Sequence, residues 1–382
     1  MKVLVLGGDG YLGWPTAIHL SASGHTVGVV DNYMRRNLCL EQKVQPLFVV
    51  PKLRERVQNW KKKSGETIQV FEGDLNDWDF TAETFGNFLP DAVVHYAEQP
   101  SAPYSMIDRQ TASLTLLNNL GCTFNTIQAV RQFVPEAHIV KLGTMGEYGT
   151  PNIDIEEGWI DILHKGRSDK FLFPRQAGSL YHTTKIQDTD LLWFYVRVWG
   201  LRVTDLMQGP VYGLNTDENE GDLSLFSFFN YDEIFGTVLN RFIVQAVAGF
   251  PLTVYGKGGQ TRGYLNLKDT LNCVRLSIEN PAAQGELRVF NQFTETFSVN
   301  ELAELVRECG ERHGVQVAIE NKVNPRKELE EHYYNPAHTG LLELGLEPNY
   351  LTPKVLDEMF SFVSLHKSAI EKESIFTGIK WT

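Results

Sequence analysis

The stretch that decides the fold is Lys2–Gly13, which reads KVLVLGGDGYLG. Its first part, Val3–Leu6, is a continuous apolar run, as expected for a central parallel strand that is buried on both faces. Glycines follow, and a helical pattern then extends from about residue 11 to residue 23. The order of strand, glycine-rich turn and helix predicts the start of a βαβ unit with a right-handed crossover.

The same alternation continues through the first half of the chain. Four further apolar runs are interpreted as strands: Val27–Val30, Ile68–Phe71, Ala92–His95 and Ile139–Gly143. Helical patterns separate them, and the longest covers about 106–133. Strands that alternate with helices indicate an α/β fold with a Rossmann-type, doubly wound parallel sheet.

The second half of the chain has shorter, less regular elements. We expect a nucleotide-binding domain from residues 1–208 with returning segments at about 235–275, and a smaller, discontinuous α/β substrate domain from about 209–234 and 276–382. The charged stretch Lys52–Lys63 is interpreted as a solvated helix face. Residues from about 150 to 177 form an irregular insertion, which makes them a candidate lid.

Composition excludes several classes of protein. A net charge of −12 argues against nucleic acid or an anionic membrane as a general partner. No apolar stretch approaches the roughly 18 residues of a membrane span. The first strand follows Lys2 at once, so we expect no signal or transit peptide. The four cysteines are scattered, as expected of reduced packing thiols in a cytoplasmic protein.

The glycines at positions 7, 10 and 13 predict a dinucleotide site. They permit a tight turn, close approach of the backbone to a pyrophosphate, and close helix–strand packing. The pyrophosphate would lie at the helix N-terminus, where free N–H groups favour anions. Asp31 ends the next strand, 18 residues after Gly13. Its carboxylate can accept hydrogen bonds from ribose hydroxyls and would repel a 2′-phosphate, so NAD is favoured over NADP.

Two features near this site have alternative readings. Arg35 and Arg36 could instead pair with the 2′-phosphate of NADP. Asp74 and Leu75 follow the third strand, where this fold often contacts adenine, but Asp74 could also be a helix N-cap. The predicted cofactor-binding residues are Gly7, Asp9, Gly10, Tyr11, Gly13, Asp31, Asn32, Arg35, Arg36, Asp74 and Leu75.

A second motif, Tyr181 with Lys185, predicts proton transfer. Residues four apart share one face of a helix. A free tyrosine titrates near 10, and a neighbouring ammonium and a nicotinamide ring would both favour the phenolate. Tyr181 could then act as a base near neutral pH, with Thr144 hydrogen-bonded to the same substrate hydroxyl. The alternative is a surface pair without chemistry.

Together these motifs resemble the extended short-chain dehydrogenase/reductase family, in its nucleotide-sugar epimerase and dehydratase branch. The segment LTVYGKGGQTRGY at 252–264 resembles the part that holds uracil and a phosphate in UDP-sugar enzymes, and Asn324–Arg326 resembles a second phosphate-binding site. The resemblance implies substrate contacts from Gln99, Arg109, Gln208, Thr253, Tyr255, Gln260, Arg262 and Arg326. Either of the last two arginines could instead form a structural ion pair.

One departure from the related 4,6-dehydratases affects the mechanism. Those enzymes carry Asp-Glu directly after the active-site Thr, as the acid and base for water elimination. Here these positions are Met145 and Gly146. Glu147 and His182 are the nearest replacements, although each could have a purely structural role. The implied catalytic residues are Thr144, Tyr181, Lys185, Glu147 and His182.

Three longer strings, Ser101–Arg109, Thr144–Gly158 and Glu331–Asn335, resemble branch members that make a sulfonated sugar nucleotide. This implies UDP-glucose and sulfite as substrates, NAD as cofactor, 4-keto and 4-keto-5,6-ene intermediates, and a possible sulfite-donating protein. A homodimer built on 106–133 and 178–199 is implied by analogy. The rivals are a UDP-sugar 4-epimerase or 4,6-dehydratase and a non-catalytic NAD-binding protein. No metal is expected, because the histidines lack ligand spacing.

Overall fold

The computed structural model describes residues 1–324 and 332–378. The strands are β1 Lys2–Leu6, β2 Thr26–Asp31, β3 Ile68–Glu72, β4 Ala92–His95, β5 His138–Thr144, β6 Trp159–His164, β7 Arg167–Leu172, β8 Arg202–Gln208, β9 Val211–Tyr212, β10 Leu252–Tyr255, β11 Thr261–Asn266, β12 Leu287–Gln292, β13 Glu295–Ser298 and β14 Ile319–Lys322. The helices are α1 Gly13–Ala22, α2 Met34–Glu41, α3 Leu53–Ser64, α4 Trp78–Phe88, α5 Arg109–Phe133, α6 Leu180–Trp199, α7 Val238–Ala248, α8 Leu267–Glu279, α9 Val299–Arg312, α10 Gly340–Glu343, α11 Pro353–Leu365 and α12 Lys372–Ile375.

Seven parallel strands form the main sheet, in the order β12-β8-β5-β4-β1-β2-β3. The apolar residues of β1 are fully buried, since helices cover both faces of the sheet. The strand order reverses beside β1, which pairs with β2 on one side and with β4 on the other. The Rossmann-type, doubly wound fold is therefore confirmed, and its carboxyl edge beside β1 is where such folds bind ligands.

A smaller group of elements forms around its own apolar core. Helices α7, α9 and α11 pack against one another, β10 pairs with β14, and β11 pairs with β13 and β9. The core includes Phe242, Val306 and Phe360, each 1% exposed or less. This packing buries apolar faces that the main sheet does not cover.

The segments that return to the main sheet differ from those expected. Strand β12 pairs with β8, where Leu287 and Val289 are buried, so residues 287–292 belong to the nucleotide-binding domain and not to the substrate domain. Helix α7 and strand β10 were expected in the nucleotide-binding domain, but both contribute to the smaller core. Apolar composition alone could not distinguish these two cores.

The insertion at 150–177 is more regular than expected, because β6 and β7 form an antiparallel hairpin. Lys165 and Gly166 both have positive φ angles in its two-residue turn, the conformation that suits a tight hairpin. The start of the insertion is attached to the later chain, where the Ile155 N–H donates to the Asn335 carbonyl oxygen at 3.1 Å.

Three further features are the start of α5, the state of the cysteines and the apolar character of the helices. Helix α5 begins at Arg109, slightly later than expected, because the Asp108 carboxylate caps it. Cys39, Cys122, Cys273 and Cys309 are all buried and unpaired as thiols. Among the described residues, no helix is both long and apolar enough to cross a membrane.

Candidate active site

A cavity of about 1030 Å³ extends along the carboxyl edge of the main sheet. Its walls come from the turns after β1, β2, β3, β4, β5 and β8, and from the smaller group of elements on the opposite side. It joins the predicted dinucleotide site to Tyr181 and to the predicted uridine-binding segment at Tyr255. One cavity can thus hold a cofactor and a nucleotide sugar side by side.

The glycine turn leaves room that any side chain would fill. A Cβ at Gly13 would lie 1.9 Å from the Gly7 carbonyl oxygen, and Gly7 has a φ of +87°. Gly7, Gly10, Tyr11 and Gly13 all line the cavity. Helix α1 starts here with no acidic residue in its first turn and no side-chain cap, so its first N–H groups suit a pyrophosphate.

Asp31 lies at the end of β2 and lines the cavity. Its two carboxylate oxygens accept hydrogen bonds from the N–H groups of Asp9 and Tyr33, each at 2.7 Å. Burial, followed by repulsion from Asp9, raises the pKa of Asp31 to about 6. A carboxylate held in this way fits ribose hydroxyls and disfavours a 2′-phosphate, so the residues suit NAD.

The two neighbouring arginines differ in position. Arg35 lines the cavity together with Asn32, and it donates to the Asn230 side chain at 2.9 Å. Arg36 instead forms a two-pronged pair with the buried carboxylate of Asp9, at 2.8 and 2.9 Å. Arg56, fully buried, also contacts Asp9. Asp9 and Arg36 therefore brace the turn from behind, and neither is among the residues that line the cavity.

After β3, the cavity is lined by Gly73 and Leu75, whereas the Asp74 side chain is turned away. Asp74 Oδ1 accepts a hydrogen bond from the Asn76 N–H at 2.9 Å. The N-cap of α4 is Asp77, whose side chain accepts from Asp79 and Phe80. The alternative reading of Asp74 as the helix N-cap is therefore wrong.

The tyrosine, lysine and threonine of the second motif lie in or next to this cavity. Tyr181, 9% exposed, and Thr144 both line it. Lys185 lies one turn further along α6, with its Nζ 6.0 Å from the centre of the Tyr181 ring. That Nζ donates to the Leu142 carbonyl oxygen at 2.7 Å. Lys185 is only 2% exposed. The alternative interpretation, in which Tyr181 and Lys185 form a surface pair without chemistry, therefore does not fit.

The charge around Tyr181 differs from the expectation. The Lys185 ammonium forms an ion pair with Glu98, with 2.7 Å between Nζ and Oε2. Burial, followed by the negative charge of Glu98, raises the pKa of Tyr181 well above its usual value. The expectation that the Lys185 ammonium and a nicotinamide ring together favour the phenolate stays a prediction, and the sequence motif did not show the carboxylate that pairs with Lys185.

The two candidate acid–base replacements have different surroundings. Glu147 is fully buried, 3.3 Å from Lys141 Nζ and 3.1 Å from Arg175 Nη1, and it accepts from the Thr144 N–H. It is not among the lining residues, so its structural role fits better. His182 does line the cavity, and its Nδ1 lies 3.1 Å from the hydroxyl oxygen of Ser179.

Gly146 explains why His182 can occupy this place. A Cβ at Gly146 would lie 2.4 Å from His182 Nε2, so only glycine leaves room for the ring. Met145 and Gly146 both line the cavity. The related 4,6-dehydratases carry Asp-Glu at these two positions. In this chain the positions are Met145 and Gly146, and the imidazole of His182 lies next to Tyr181.

The predicted substrate contacts do not all lie at the cavity. Gln208, Tyr255, Gln260 and Arg262 line the cavity. Gln99 and Thr253 are buried behind it, where Gln99 donates to Thr115 and Thr253 accepts from Gln245. Arg109 is exposed at the start of α5 and is not among the lining residues. Arg326 lies outside the described residues.

Three cavity residues were missed by the sequence reasoning. Glu98 follows β4, Glu233 contacts the Tyr255 hydroxyl, and Arg241 on α7 is 7% exposed. The Arg241 guanidinium lies 5.4 Å from the centre of the Tyr255 ring. No local motif marks these residues, since their roles depend on contacts between remote parts of the chain.

One group of possible metal ligands lies outside the cavity. Ligand atoms of Cys309, His313 and Asp357 lie within 4.8 Å of one another, on α9, just beyond its end, and on α11. The sequence spacing did not indicate this group. Two nitrogens of the Arg312 guanidinium already donate to Asp357 Oδ1, at 2.8 and 3.1 Å. Their positive charge offsets the negative charge of the carboxylate that would attract a metal cation.

Comparison with known proteins agrees with this geometry. Residues 3–291 match the model of the NAD dependent epimerase/dehydratase family. The chain is 50% identical over 380 residues to the chloroplastic UDP-sulfoquinovose synthase of Spinacia oleracea, covering 100% of this chain and 79% of that protein. It is 46% identical over 384 residues to the UDP-sulfoquinovose synthase of Sulfolobus acidocaldarius, covering 100% and 98%.

A solved structure shows the same fold. The UDP-glucose 4-epimerase of Thermotoga maritima, determined with UDP-glucose, superposes with a TM-score of 0.71 at 20% identity. The match covers 97% of this chain and 100% of that one. At this identity, the likeness concerns the fold alone.

Proposed function

The chain belongs to the NAD-dependent epimerase/dehydratase family, and from this premise we propose that it converts UDP-glucose and sulfite into UDP-sulfoquinovose. The observation that carries the proposal is whole-chain identity of 50% and 46% to two proteins named for this product. The cofactor is NAD, in keeping with the family and with the carboxylate of Asp31 at the end of β2. The cavity supports the proposal, because Thr144, Tyr181 and Arg262 are among the residues that line it, together with those of the glycine turn.

The first step is oxidation of the sugar at C4. Bound NAD supplies a nicotinamide carbon that can accept a hydride and give it back. Tyr181 takes the proton of the C4 hydroxyl, while the Thr144 hydroxyl orients that group by a hydrogen bond. Lys185, fixed by Glu98 and by the Leu142 carbonyl oxygen, holds its charge beside the tyrosine.

The second step is loss of water across C5 and C6. The new 4-ketone acidifies the C5 hydrogen, a base removes it, and water leaves from C6. We assign the proton transfers to His182 and not to Glu147, because only His182 lines the cavity. Sulfite then adds at C6 of the 4-keto-5,6-ene while C5 takes up a proton. The hydride returns to C4 as Tyr181 gives its proton back to the C4 oxygen.

The reactive enone needs protection from bulk water. The ends of the 150–177 insertion supply part of the cavity wall through Thr150, Gln176 and Ala177. The β6–β7 hairpin itself is not among the lining residues, so we restrict the proposed lid to these flanking segments. The sulfite-donating partner protein stays a prediction.

We also propose a homodimer that packs α5 and α6 against their copies. Leu117 and Phe124 on α5 are 68% and 43% exposed, and Phe194 and Val198 on α6 are 47% and 56% exposed. Exposed apolar side chains on two adjacent helices are typical of a subunit interface. A cytoplasmic location is proposed as well, which the four unpaired, buried cysteines support.

Product analysis tests the proposed function. NAD-loaded protein is incubated with UDP-glucose, with and without isotope-labelled sulfite, and the products are identified by mass spectrometry. We expect a UDP-linked sugar sulfonate that carries the label and forms only with sulfite. UDP-galactose or a UDP-4-keto-6-deoxy sugar as the product would instead identify a 4-epimerase or a 4,6-dehydratase.

A further inference from the structure

Glu98 has a position that the proposed mechanism does not yet explain. It lies three residues after the end of β4, its side chain is 2% exposed, and it lines the cavity beside Tyr181. A carboxylate buried to this extent needs a partner, because leaving water costs an ion several kcal/mol. The Lys185 ammonium is that partner, at 2.7 Å.

No other described cation within ion-pair distance serves Glu98. His95 Nε2 is 3.7 Å from Glu98 Oε1, but burial lowers the pKa of His95 to about 4, so its imidazole is neutral at physiological pH. Lys141 lies against Glu147 and Asp205. Arg175 lies against Glu147. Among the described residues, Lys185 is therefore the charged partner of Glu98.

The surrounding buried groups are consistent with this pairing. The ionisable groups near Tyr181, Lys185 and Glu98 are His95, Cys122, Lys141, Glu147, Arg175, His182, Asp188 and Asp205. Burial and then the charge of Glu98 raise the pKa of Asp188 well above its usual value. Two further buried carboxylates, Glu147 and Asp205, contact Lys141, and Glu147 also contacts Arg175.

We propose that Glu98 is a positioning residue that holds the Lys185 ammonium near Tyr181 and offsets its charge, and thereby sets the pH range in which Tyr181 accepts the substrate's proton. The inference rests on the proposed role of Tyr181 in oxidising the sugar at C4. Two buried, opposite charges 2.7 Å apart act on the phenol nearly as a dipole. Removal of one of them exposes Tyr181 to the full field of the other.

The test uses the first half of the reaction. NAD-loaded protein is mixed with UDP-glucose without sulfite, and the rate of NADH formation is followed by absorbance across a range of pH. Glu98→Gln removes the charge but keeps the size of the side chain. We expect the midpoint, which is the pH at which the rate of NADH formation reaches half its maximum, to fall by about one pH unit. The KM for UDP-glucose should change little.

Two further variants keep the test decisive if Glu98→Gln does not fold. Glu98→Ser also removes the charge, and the same downward shift is expected. Glu98→Asp retains the charge, so its midpoint should stay near that of the wild-type protein. Glu157→Gln is the matched control: this carboxylate, which accepts from the Gly340 and Asn291 N–H groups, is not among the cavity-lining residues.

The outcomes separate the inference from the proposed function. Wild-type protein that forms no NADH with UDP-glucose would contradict the proposed function itself. Normal NADH formation with an unmoved midpoint in Glu98→Gln and Glu98→Ser would overturn the role of Glu98 alone. An equal shift in Glu98→Asp would also overturn it, since the charge is still present.

Discussion

At the scale of single residues, the chemistry depends on how burial and charge act on Tyr181. Burial and Glu98 both favour the neutral phenol, whereas the charge of Lys141 favours the phenolate. The pKa of Tyr181 is therefore raised above its usual value, with burial as the main cause. Our proposal gives Tyr181 and Thr144 roles in the reaction, whereas Glu147 accepts a hydrogen bond from the Thr144 N–H and stabilises the turn after β5.

Tyr181→Phe tests the residue that carries the proton. Without the phenolic oxygen, the C4 proton has no acceptor, so we expect NADH formation with UDP-glucose to slow by about 1000-fold. NAD should stay bound, because the glycine turn and Asp31 are unchanged. Tyr195→Phe, on the same helix but not among the cavity-lining residues, is the control and should behave as wild type.

Asp31 predicts a pH dependence of NAD binding. The ionised carboxylate accepts the ribose hydrogen bonds, and the pKa of Asp31 is raised to about 6. Affinity should therefore be full above this pH and should fall as the pH drops through about 6, which isothermal titration calorimetry can measure. Asp31→Asn should bind more weakly and lose this dependence. A parallel decline in both proteins would show that another group is responsible.

Gly13→Ala tests the glycine turn. The new Cβ would lie 1.9 Å from the Gly7 carbonyl oxygen, so the backbone must move and NAD binding should be lost. Gly86→Ala is the matched control, because its Cβ meets only the Phe133 ring at 3.5 Å within a helix. There alanine should be neutral or stabilising. Full NAD affinity in Gly13→Ala would contradict this account of the turn.

At the scale of elements, the β6–β7 hairpin is separate from the cavity that its flanking segments help to line. Its tip is exposed, with Leu163 75% exposed, and its base is held where Trp159 packs against Trp193. The attachment of Ile155 to Asn335 keeps the start of the insertion in place. We therefore expect that the hairpin tip can change without loss of activity.

Replacement of residues 162–169 by a short Gly-Ser turn tests this separation. We expect the melting temperature to change little, with less than about 1 kcal/mol lost, because the removed side chains are exposed. Turnover with UDP-glucose and sulfite should stay within about twofold of wild type. A large loss of turnover in a folded variant would show that the hairpin takes part in closing the cavity.

At the scale of the whole molecule, the apolar surface of α5 and α6 predicts the oligomeric state. Leu117→Glu combined with Phe194→Glu places charges on this surface and should convert a dimer into a monomer, as measured by light scattering during gel filtration. Leu365→Glu, at a residue that is 81% exposed on α11, is the control and should leave the dimer intact. A monomeric wild-type protein would contradict the proposal.

The sequence predicted most of the sheet and the middle of the site for a physical reason. Buried parallel strands such as β1 are continuous apolar runs, and the Gly7–Gly13 turn and the Tyr181–Lys185 pair are local in sequence. Glu98 pairs with a lysine 87 positions away, and β12 joins a sheet whose other strands end at 208. Such contacts between remote segments have no local pattern, so the sequence alone could not show them.

The central claim is that the sugar is oxidised at C4 and then restored by the same hydride. UDP-glucose labelled with deuterium at C4 tests it most directly, when NAD-loaded protein and sulfite are supplied and the product is analysed by mass spectrometry. We predict a sulfonated UDP-sugar that retains the deuterium at C4. A sulfonated product without that deuterium, or no sulfonated product at all, would contradict the account.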